Sequence, residues 1–297
     1  MSLLSLFLPA LRVYCIAFHV VLHQLLRRLR PGCPFKPVYP QQNGNVAIVT
    51  GGTKGIGYHS VKCLVRLGMH VIIAGNSESE GQETVMKIKE ETLNAKAAVM
   101  LVPERKTEDG FEEHFGINYL GHFLLTNLLL ETLKQSGTHN HNARIVTLSS
   151  ATHYVGELHL NDLQSSCLYS PHGAYAQSKL ALVLFSYWLH HLLTVEGSHV
   201  TVNVVDPGVV NTDLYRHISW PAKLAKWMTG WLLLKTPEEG ASTSIYAAVS
   251  SELEGVGSCY LYNEQRTKSL DLSYDEELQR RLWTESCKLV GIPDTIS

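Results

Sequence analysis

The stretch Asn45-Val-Ala-Ile-Val-Thr50, followed at once by Gly51-Gly-Thr-Lys-Gly-Ile-Gly57, decides the fold of this chain. The first six residues are apolar and rich in β-branched side chains, which predicts a buried strand. A helical pattern over residues 58–67 and a second β-branched run over residues 69–74 follow the glycines. The order strand, glycine turn, helix, strand predicts a parallel βαβ unit.

A glycine turn in this position is typical of dinucleotide binding. Glycines allow the backbone to turn tightly and to approach a pyrophosphate, which then lies at the positive end of the following helix. A glycine-rich turn without function is the alternative, but the flanking strand and helix favour the nucleotide site.

Tyr175 and Lys179 are four residues apart, so a helix places both side chains on one face. An ammonium beside a phenol favours the phenolate, so we expect the pKa of Tyr175 to fall from its usual value near ~10. Such a phenol can exchange a proton with an alcohol or carbonyl oxygen. A solvated helix face is the alternative, since this spacing alone is common.

Composition limits the other functions. The chain has 297 residues, a net charge of −2 and 45% hydrophobic residues, which suits one large α/β domain and offers no basic excess for nucleic acid. Six scattered cysteines favour a reduced compartment. The fifteen histidines lack the nearby Cys or acidic partners of a metal site, so we predict no metal.

The N-terminus differs from the rest of the chain. Residues 3–26 are largely apolar and are followed by Arg27-Arg28-Leu29-Arg30. We predict a hydrophobic anchor or signal-like segment over residues 1–30, a linker over residues 31–44 and one domain over residues 45–297. The basic cluster favours a body on the cytoplasmic side, and a cleaved secretory peptide is the alternative.

The body alternates predicted helices and strands. Helices are predicted over 78–93, 111–133 and 174–195 and from Thr236, and strands over 144–149, 199–205 and 259–262. This alternation predicts a parallel sheet covered by helices on both faces.

Together these motifs resemble the short-chain dehydrogenase/reductase family, in its retinol-dehydrogenase-like branch. The resemblance runs from about Asn45 onward and includes the glycine turn, Ser149-Ser150, Tyr175-x-x-x-Lys179 and the run from Asn118 to Phe123. It implies a Rossmann-like, doubly wound parallel sheet and an NAD(P)-dependent oxidoreductase. It also implies a lipophilic alcohol or aldehyde as substrate, a location at the endoplasmic reticulum membrane and a homodimer; a secreted protein is the alternative location.

The resemblance also implies roles for single residues. Tyr175 would be the acid/base, Lys179 would lower its pKa and hold the ribose, Ser150 would orient the substrate oxygen, and Asn118 would anchor a proton-relaying water. The implied cofactor-binding residues are Thr50, Gly51, Thr53, Lys54, Gly55, Ile56, Gly57, Lys179, Pro207, Gly208 and Thr212.

The choice between NAD and NADP depends on the end of the second strand. An acidic residue there would bind the ribose 2′-hydroxyl of NAD, but Gly75-Asn76-Ser77 occupies the position. Lys54 could meet a 2′-phosphate, so NADP is favoured.

One departure from the family pattern has physical consequences. Two strands expected between Leu93 and Phe111 are absent, including the one that carries Asn-Asn-Ala-Gly, so roughly thirty residues are missing. We predict a truncated sheet in which residues 97–102 could fill the empty slot. The chain would then be an exon-skipped form with impaired activity.

Residues 213–235 contain three tryptophans, a leucine run and interleaved lysines, which suits a membrane interface; a core-facing helix is the alternative. A second hypothesis follows from the missing strands: a catalytically impaired, membrane-tethered interaction protein that keeps the fold.

Overall fold

The computed structural model describes residues 3–29, 39–75, 100–212, 230 and 233–294. Its helices are α1 (Leu3–Leu29), α2 (Gly55–Arg66), α3 (Gly121–Ser136), α4 (Pro171–Val195), α5 (Pro237–Val249) and α6 (Glu276–Val290). Its strands are β1 (Val46–Thr50), β2 (His70–Ala74), β3 (Ala143–Leu148), β4 (Val200–Asp206), β5 (Tyr260–Tyr262) and β6 (Gln265–Thr267).

The strands form two separate sheets within these described ranges. β1 pairs with β2 in parallel, with Val46 opposite His70. β3, β4 and β5 are parallel neighbours in that order, and β6 adds an antiparallel edge. The predicted Rossmann-like alternation of parallel strands and helices is confirmed, whereas β6 and α6 were not predicted.

Local sequence explains where the functional helices begin. Ser170 caps α4, with its hydroxyl accepting from the Gly173 N–H, and Pro171 occupies the first turn. Thr236 and Glu239 form a capping box at the start of α5, the helix predicted from Thr236.

The helix that carries Asn118 is irregular. Glu112 caps a short turn, Glu113–Phe115, by accepting from the His114 and Phe115 N–H groups. A π-helical turn, Gly116–Leu120, then leads into α3. Such turns recur at functional sites, and this one buries Asn118 beside α4.

The main core lies around α4. Helix α4 packs against β4 on one side and α6 on the other. Phe123, Phe185 and Trp283 form an aromatic cluster, with the ring centres of Phe123 and Trp283 5.0 Å apart. This packing makes α4 a rigid support for the side chains that it carries.

The open space between the two sheets is where the missing strand would lie. A cavity of about 1600 Å³ separates β1 from β3 and is lined by residues of both strands. Val46, Ile48 and Leu148 are 58%, 43% and 37% exposed, although strands of a parallel sheet are normally buried on both faces. The sheet is therefore interrupted, as the sequence predicted.

The prediction that residues 97–102 fill this slot is wrong for its last two residues. Leu101 has a φ of +53°, which is not an extended conformation. The Val102 N–H donates to Nε2 of His114 at 3.3 Å, and the Val102 carbonyl accepts from the Tyr169 hydroxyl at 2.9 Å. Side chains therefore hydrogen-bond the Val102 N–H and carbonyl groups, which a strand would use to pair with its neighbour. Residues 97–99, the helix predicted over 78–93 and most of the tryptophan-rich segment lie outside the described residues.

The N-terminal prediction of an apolar segment corresponds to α1. Within the described ranges, one helix, residues Phe7–Arg28, is long and apolar enough to cross a membrane.

Candidate active site

Tyr175 and Lys179 lie on one face of α4, as their spacing predicted. Both are buried, and the Lys179 Nζ atom is 5.8 Å from the centre of the Tyr175 ring. Both side chains line the cavity between the sheets. The neighbouring Lys179 ammonium also donates to the Leu148 carbonyl at 3.1 Å, which ties α4 to the end of β3.

The expected fall in the pKa of Tyr175 is wrong for this structure. Burial raises the pKa of Tyr175 well above its usual value and Asp206 adds to the rise, while the Ser150 and Thr152 hydroxyls partly oppose it. Burial also lowers the pKa of Lys179 to about 8, against the opposite effect of Asp206. Desolvation disfavours the charged form of each group. Tyr175 is therefore held as the protonated phenol.

The two serines at the end of β3 have different environments. Ser149 is buried and its hydroxyl donates to the Lys179 carbonyl at 2.8 Å, which is a structural bond between β3 and α4. The Ser150 hydroxyl accepts from the Thr152 N–H at 3.3 Å and lies beside Tyr175 in the cavity. Ser150, rather than Ser149, is thus placed to orient a substrate oxygen.

Asn118 reaches the same cavity from the π-helical turn. Its Nδ2 atom donates to the Ser178 hydroxyl at 3.1 Å, next to Lys179 on α4. The three elements that carry Ser150, Asn118 and Tyr175 therefore meet at one wall of the cavity.

The glycine turn has the geometry that a pyrophosphate site needs. Gly51 and Gly55 have φ values of +61° and +51°, which favour glycine. A Cβ atom on Gly57 would lie 2.2 Å from the Gly51 carbonyl oxygen, so only glycine fits there. Lys54 is the N-cap of α2 and makes no side-chain capping hydrogen bond, and Gly55, Ile56 and Gly57 of the first turn line the cavity. The first N–H groups of a helix have no partner within the helix, so this end can bind an anion.

The opposite end of the site is the turn after β4. Pro207, Gly208 and Thr212 line the cavity, and the Thr212 side chain would lie 3.3 Å from a Cβ atom on Gly55. The two halves of the expected nucleotide site therefore meet. Of the cofactor residues predicted from the sequence, Thr53 is the exception: it is buried and does not line the cavity.

The glycine turn and the Pro-Gly turn thus fit a nicotinamide dinucleotide. Among the described residues, no strand lies between β1 and β3 to support the nucleotide, and the cavity opens there.

Sequence reasoning missed two charged residues that brace the Pro-Gly turn. Asp206 is buried, accepting from the Gly208 N–H at 2.8 Å and from the Tyr260 hydroxyl at 3.1 Å. Burial raises the pKa of Asp206. Lys235 donates to the Pro207 carbonyl at 3.0 Å, and burial lowers its pKa to about 8. The position of Asp206 directly before Pro207 was a sequence signal that could have identified it. Lys235 is distant in sequence from the Pro-Gly turn, so no sequence signal pointed to it.

A third missed residue, His153, fixes the segment after Ser150. Its Nδ1 atom lies 2.8 Å from the Ser150 carbonyl, and its Nε2 atom accepts from the Leu270 N–H at 3.2 Å. Because the carbonyl can only accept, Nδ1 carries the proton and the ring is neutral. Burial accordingly lowers the pKa of His153 to about 4.

The comparisons with known proteins agree with this site. The profile of the family described as short chain dehydrogenase matches residues 45–107 and 98–221. The chain therefore belongs to the short-chain dehydrogenase family and is an NAD(P)-dependent oxidoreductase by membership.

The relatives fall in the branch that the sequence indicated. The chain is 59% identical to the polyprenol dehydrogenase of Homo sapiens, with 99% of each chain covered, and 39% identical to retinol dehydrogenase 13 of Mus musculus, with 88% and 87% covered. An uncharacterised protein from Mycobacterium Paratuberculosis has a similar structure, with a TM-score of 0.67, 27% identity and 86% and 96% of the two chains covered.

The alignment also locates a deletion in this chain. It extends over 328 positions with the human relative, at least 31 more than the 297 residues of this chain. The family profile matches in two pieces that meet near residues 98–107, which is the end of the interrupted region. Both observations agree with the predicted loss of roughly thirty residues.

Proposed function

We propose that this protein interconverts a lipophilic alcohol and its aldehyde or ketone, with a polyisoprenoid such as polyprenol or dolichal favoured. The observation that carries the proposal is the convergence of Tyr175, Ser150 and Lys179 on a cavity of about 1600 Å³. The names of the relatives, polyprenol dehydrogenase and retinol dehydrogenase, support a long apolar substrate.

Each residue has a distinct task in this proposal. The nicotinamide supplies or accepts the hydride when it is bound. The Tyr175 hydroxyl donates its proton to the carbonyl oxygen in reduction and takes it back in oxidation. Ser150 orients that oxygen toward Tyr175. Lys179 and Asn118 relay a proton from solvent to the Tyr175 hydroxyl after it has donated its own.

The glycine turn and the Pro-Gly turn would hold the cofactor. Backbone N–H groups of the first turn of α2 would bind the pyrophosphate, with the side chains and backbone of residues 207–212 at the nicotinamide end.

NADP is the favoured cofactor because Lys54 lies at the rim of the glycine turn. Lys54 lines the cavity at the start of α2, where its ammonium would meet a 2′-phosphate. Lys54→Ala should weaken NADPH binding and leave NADH binding nearly unchanged, as measured by titration of cofactor fluorescence. Equal losses for the two cofactors would contradict this preference.

The oxidoreductase proposal is tested with the full chain in lipid vesicles, NADPH and a polyisoprenoid aldehyde. Tyr175→Phe should abolish cofactor oxidation because it removes the proton donor. Tyr187→Phe is the matched control: Tyr187 is another buried tyrosine of α4, and its hydroxyl bonds Ser269 away from the cavity. Oxidation of NADPH that continues in Tyr175→Phe would contradict the proposal.

A second function is favoured by the interruption of the sheet. The open edges of β1 and β3 would weaken both the fold and the nucleotide site, which suits a catalytically impaired, membrane-tethered interaction protein. A cellular effect of the chain that Tyr175→Phe leaves unchanged would support this second function over the first.

The same proposal includes the organisation and location of the protein. Residues 1–30 would attach the protein to the endoplasmic reticulum membrane, residues 31–44 would be a linker, and residues 45–297 would face the cytoplasm, where they could form a homodimer. Protease treatment of intact microsomes tests the sidedness: digestion of the body supports it, whereas full protection would favour the secreted alternative.

A further inference from the structure

Helix α1 has an unusual exposed face. Phe7, Leu11, Phe18 and Leu22 are 66%, 61%, 71% and 43% exposed, and their spacing of four or seven residues places them on one side of the helix. A surface helix of a water-soluble domain normally presents polar residues to solvent and apolar residues to the core. In α1 the outward face is instead a continuous row of large apolar side chains.

Helix α1 is held against the body by a buried face and by two ion pairs. Gln24 is buried together with Val13 and Val20. Arg12 forms an ion pair with Glu157, and Arg28 forms one with Glu239 at 2.7 Å.

Contacts along α1 show that the helix lies across the mouth of the Tyr175 cavity. Pro9, near its start, lies beside Gly173, and Gln24, near its end, lies beside Gly208 of the Pro-Gly turn. Between these ends, the side chains of Val13, Tyr14, Ile16 and Ala17 line the same cavity as Tyr175.

We propose that α1 lies in the plane of a membrane, with its outer face among the lipid tails of one leaflet and its inner face as a wall of the substrate cavity. A lipophilic substrate then passes from the leaflet along α1 to Tyr175 without crossing water. The nature of the substrate rests on the proposed function, whereas the orientation of α1 does not.

The contacts of α1 decide between lying in a membrane and crossing it. The helix contacts the body from Pro9 to Arg28, so the body accompanies it along nearly its whole length. A spanning helix would have to leave the body, which would expose Gln24 and separate Arg12 from Glu157. An in-plane helix keeps these contacts and buries only its apolar row.

Depth measurements on the full chain test the orientation. Spin labels are placed on Leu11→Cys and Phe18→Cys, with the accessible native cysteines replaced by serine, in phosphatidylcholine–phosphatidylserine vesicles. An in-plane helix gives both labels the same shallow depth by oxygen and nickel accessibility. A spanning helix places Phe18 near the bilayer centre and Leu11 about 10 Å nearer the surface, seven residues along the axis. That separation, or labels that stay in water, overturns the proposal.

A second pair of variants tests the wall of the cavity. Ala17→Phe adds bulk on the inner face and should raise the KM for a vesicle-borne polyisoprenoid aldehyde at least five-fold, with kcat little changed. His19→Phe places the same side chain on the exposed face and should change the KM less than two-fold. Equal effects of the two variants on the KM would refute the proposal that the inner face of α1 is a wall of the substrate cavity. If the chain shows no turnover at all, the proposed function fails while the depth measurement still decides the orientation.

Discussion

Gly57→Ala tests the close packing of the glycine turn on α2. The added Cβ atom would lie 2.2 Å from the Gly51 carbonyl oxygen and 3.1 Å from the Gly52 Cα atom, so the turn must move by roughly 1 Å to reach an ordinary contact. Overpacking of this kind costs about 1–3 kcal/mol of the free energy of unfolding. A displacement of about 1 Å in a positioned site can also lower turnover roughly 100-fold.

Gly121→Ala is the matched control for this change. Gly121 is also a helical glycine, but its nearest neighbour, the Gly116 carbonyl oxygen, would lie 3.5 Å from the new Cβ atom. Alanine should therefore stabilise α3 by about 0.5–1 kcal/mol, because glycine is the more flexible residue in the unfolded chain. Urea unfolding and NADPH titration measure both variants. Shifts of equal size and sign, or unchanged NADPH affinity in Gly57→Ala, would refute the reasoning.

Three further predictions concern stability. His153 has a folded pKa of about 4 against an ordinary 6.5, so its neutral form contributes stability that is complete above pH 6.5 and is lost as the pH falls toward 4. Urea midpoints at pH 7 and pH 5 should differ less in His153→Gln than in the parent chain, and an equal difference would contradict this. Ile48 and Leu148, exposed beside the cavity, should make the chain bind an apolar dye such as anilinonaphthalene sulfonate. Inserting the segment that the relatives carry should reduce that fluorescence, and no reduction would argue against an open slot. Arg144→Met should lower the free energy of unfolding by about 1–3 kcal/mol, because it removes the donor to the Ser250 carbonyl and to Oε2 of Glu254. Urea unfolding of Arg280→Met, which breaks an exposed ion pair, should show no measurable change.

Local patterns in the sequence were enough to predict most of the fold. The β-branched run before Gly51 and the run of residues 69–74 became the parallel pair β1 and β2. The spacing of Tyr175 and Lys179 was enough to place both on one face of α4. The absence of the Asn-Asn-Ala-Gly strand predicted a truncated sheet, but the run of residues 97–102 that was expected to fill the slot does not do so at Leu101 and Val102.

What the sequence could not supply depends on contacts between distant residues. The raised pKa of Tyr175 follows from its complete burial by elements far along the chain, which spacing does not reveal. Lys235 reaches the Pro207 carbonyl across 28 residues, and His153 reaches the Leu270 N–H across 117. The contacts of α1 with the body were hidden for the same reason, since hydropathy alone does not show which side meets the body.

The central claim is that the glycine turn and the side chains around Tyr175 form one nucleotide site, although the cavity between β1 and β3 separates the two sheets. Titration of the purified full chain with NADPH, followed by cofactor fluorescence, tests it most directly. We expect saturable binding that both Gly57→Ala and Thr212→Val weaken, since these residues lie on opposite halves of the site. Absence of saturable binding, or binding that neither substitution changes, would contradict the claim.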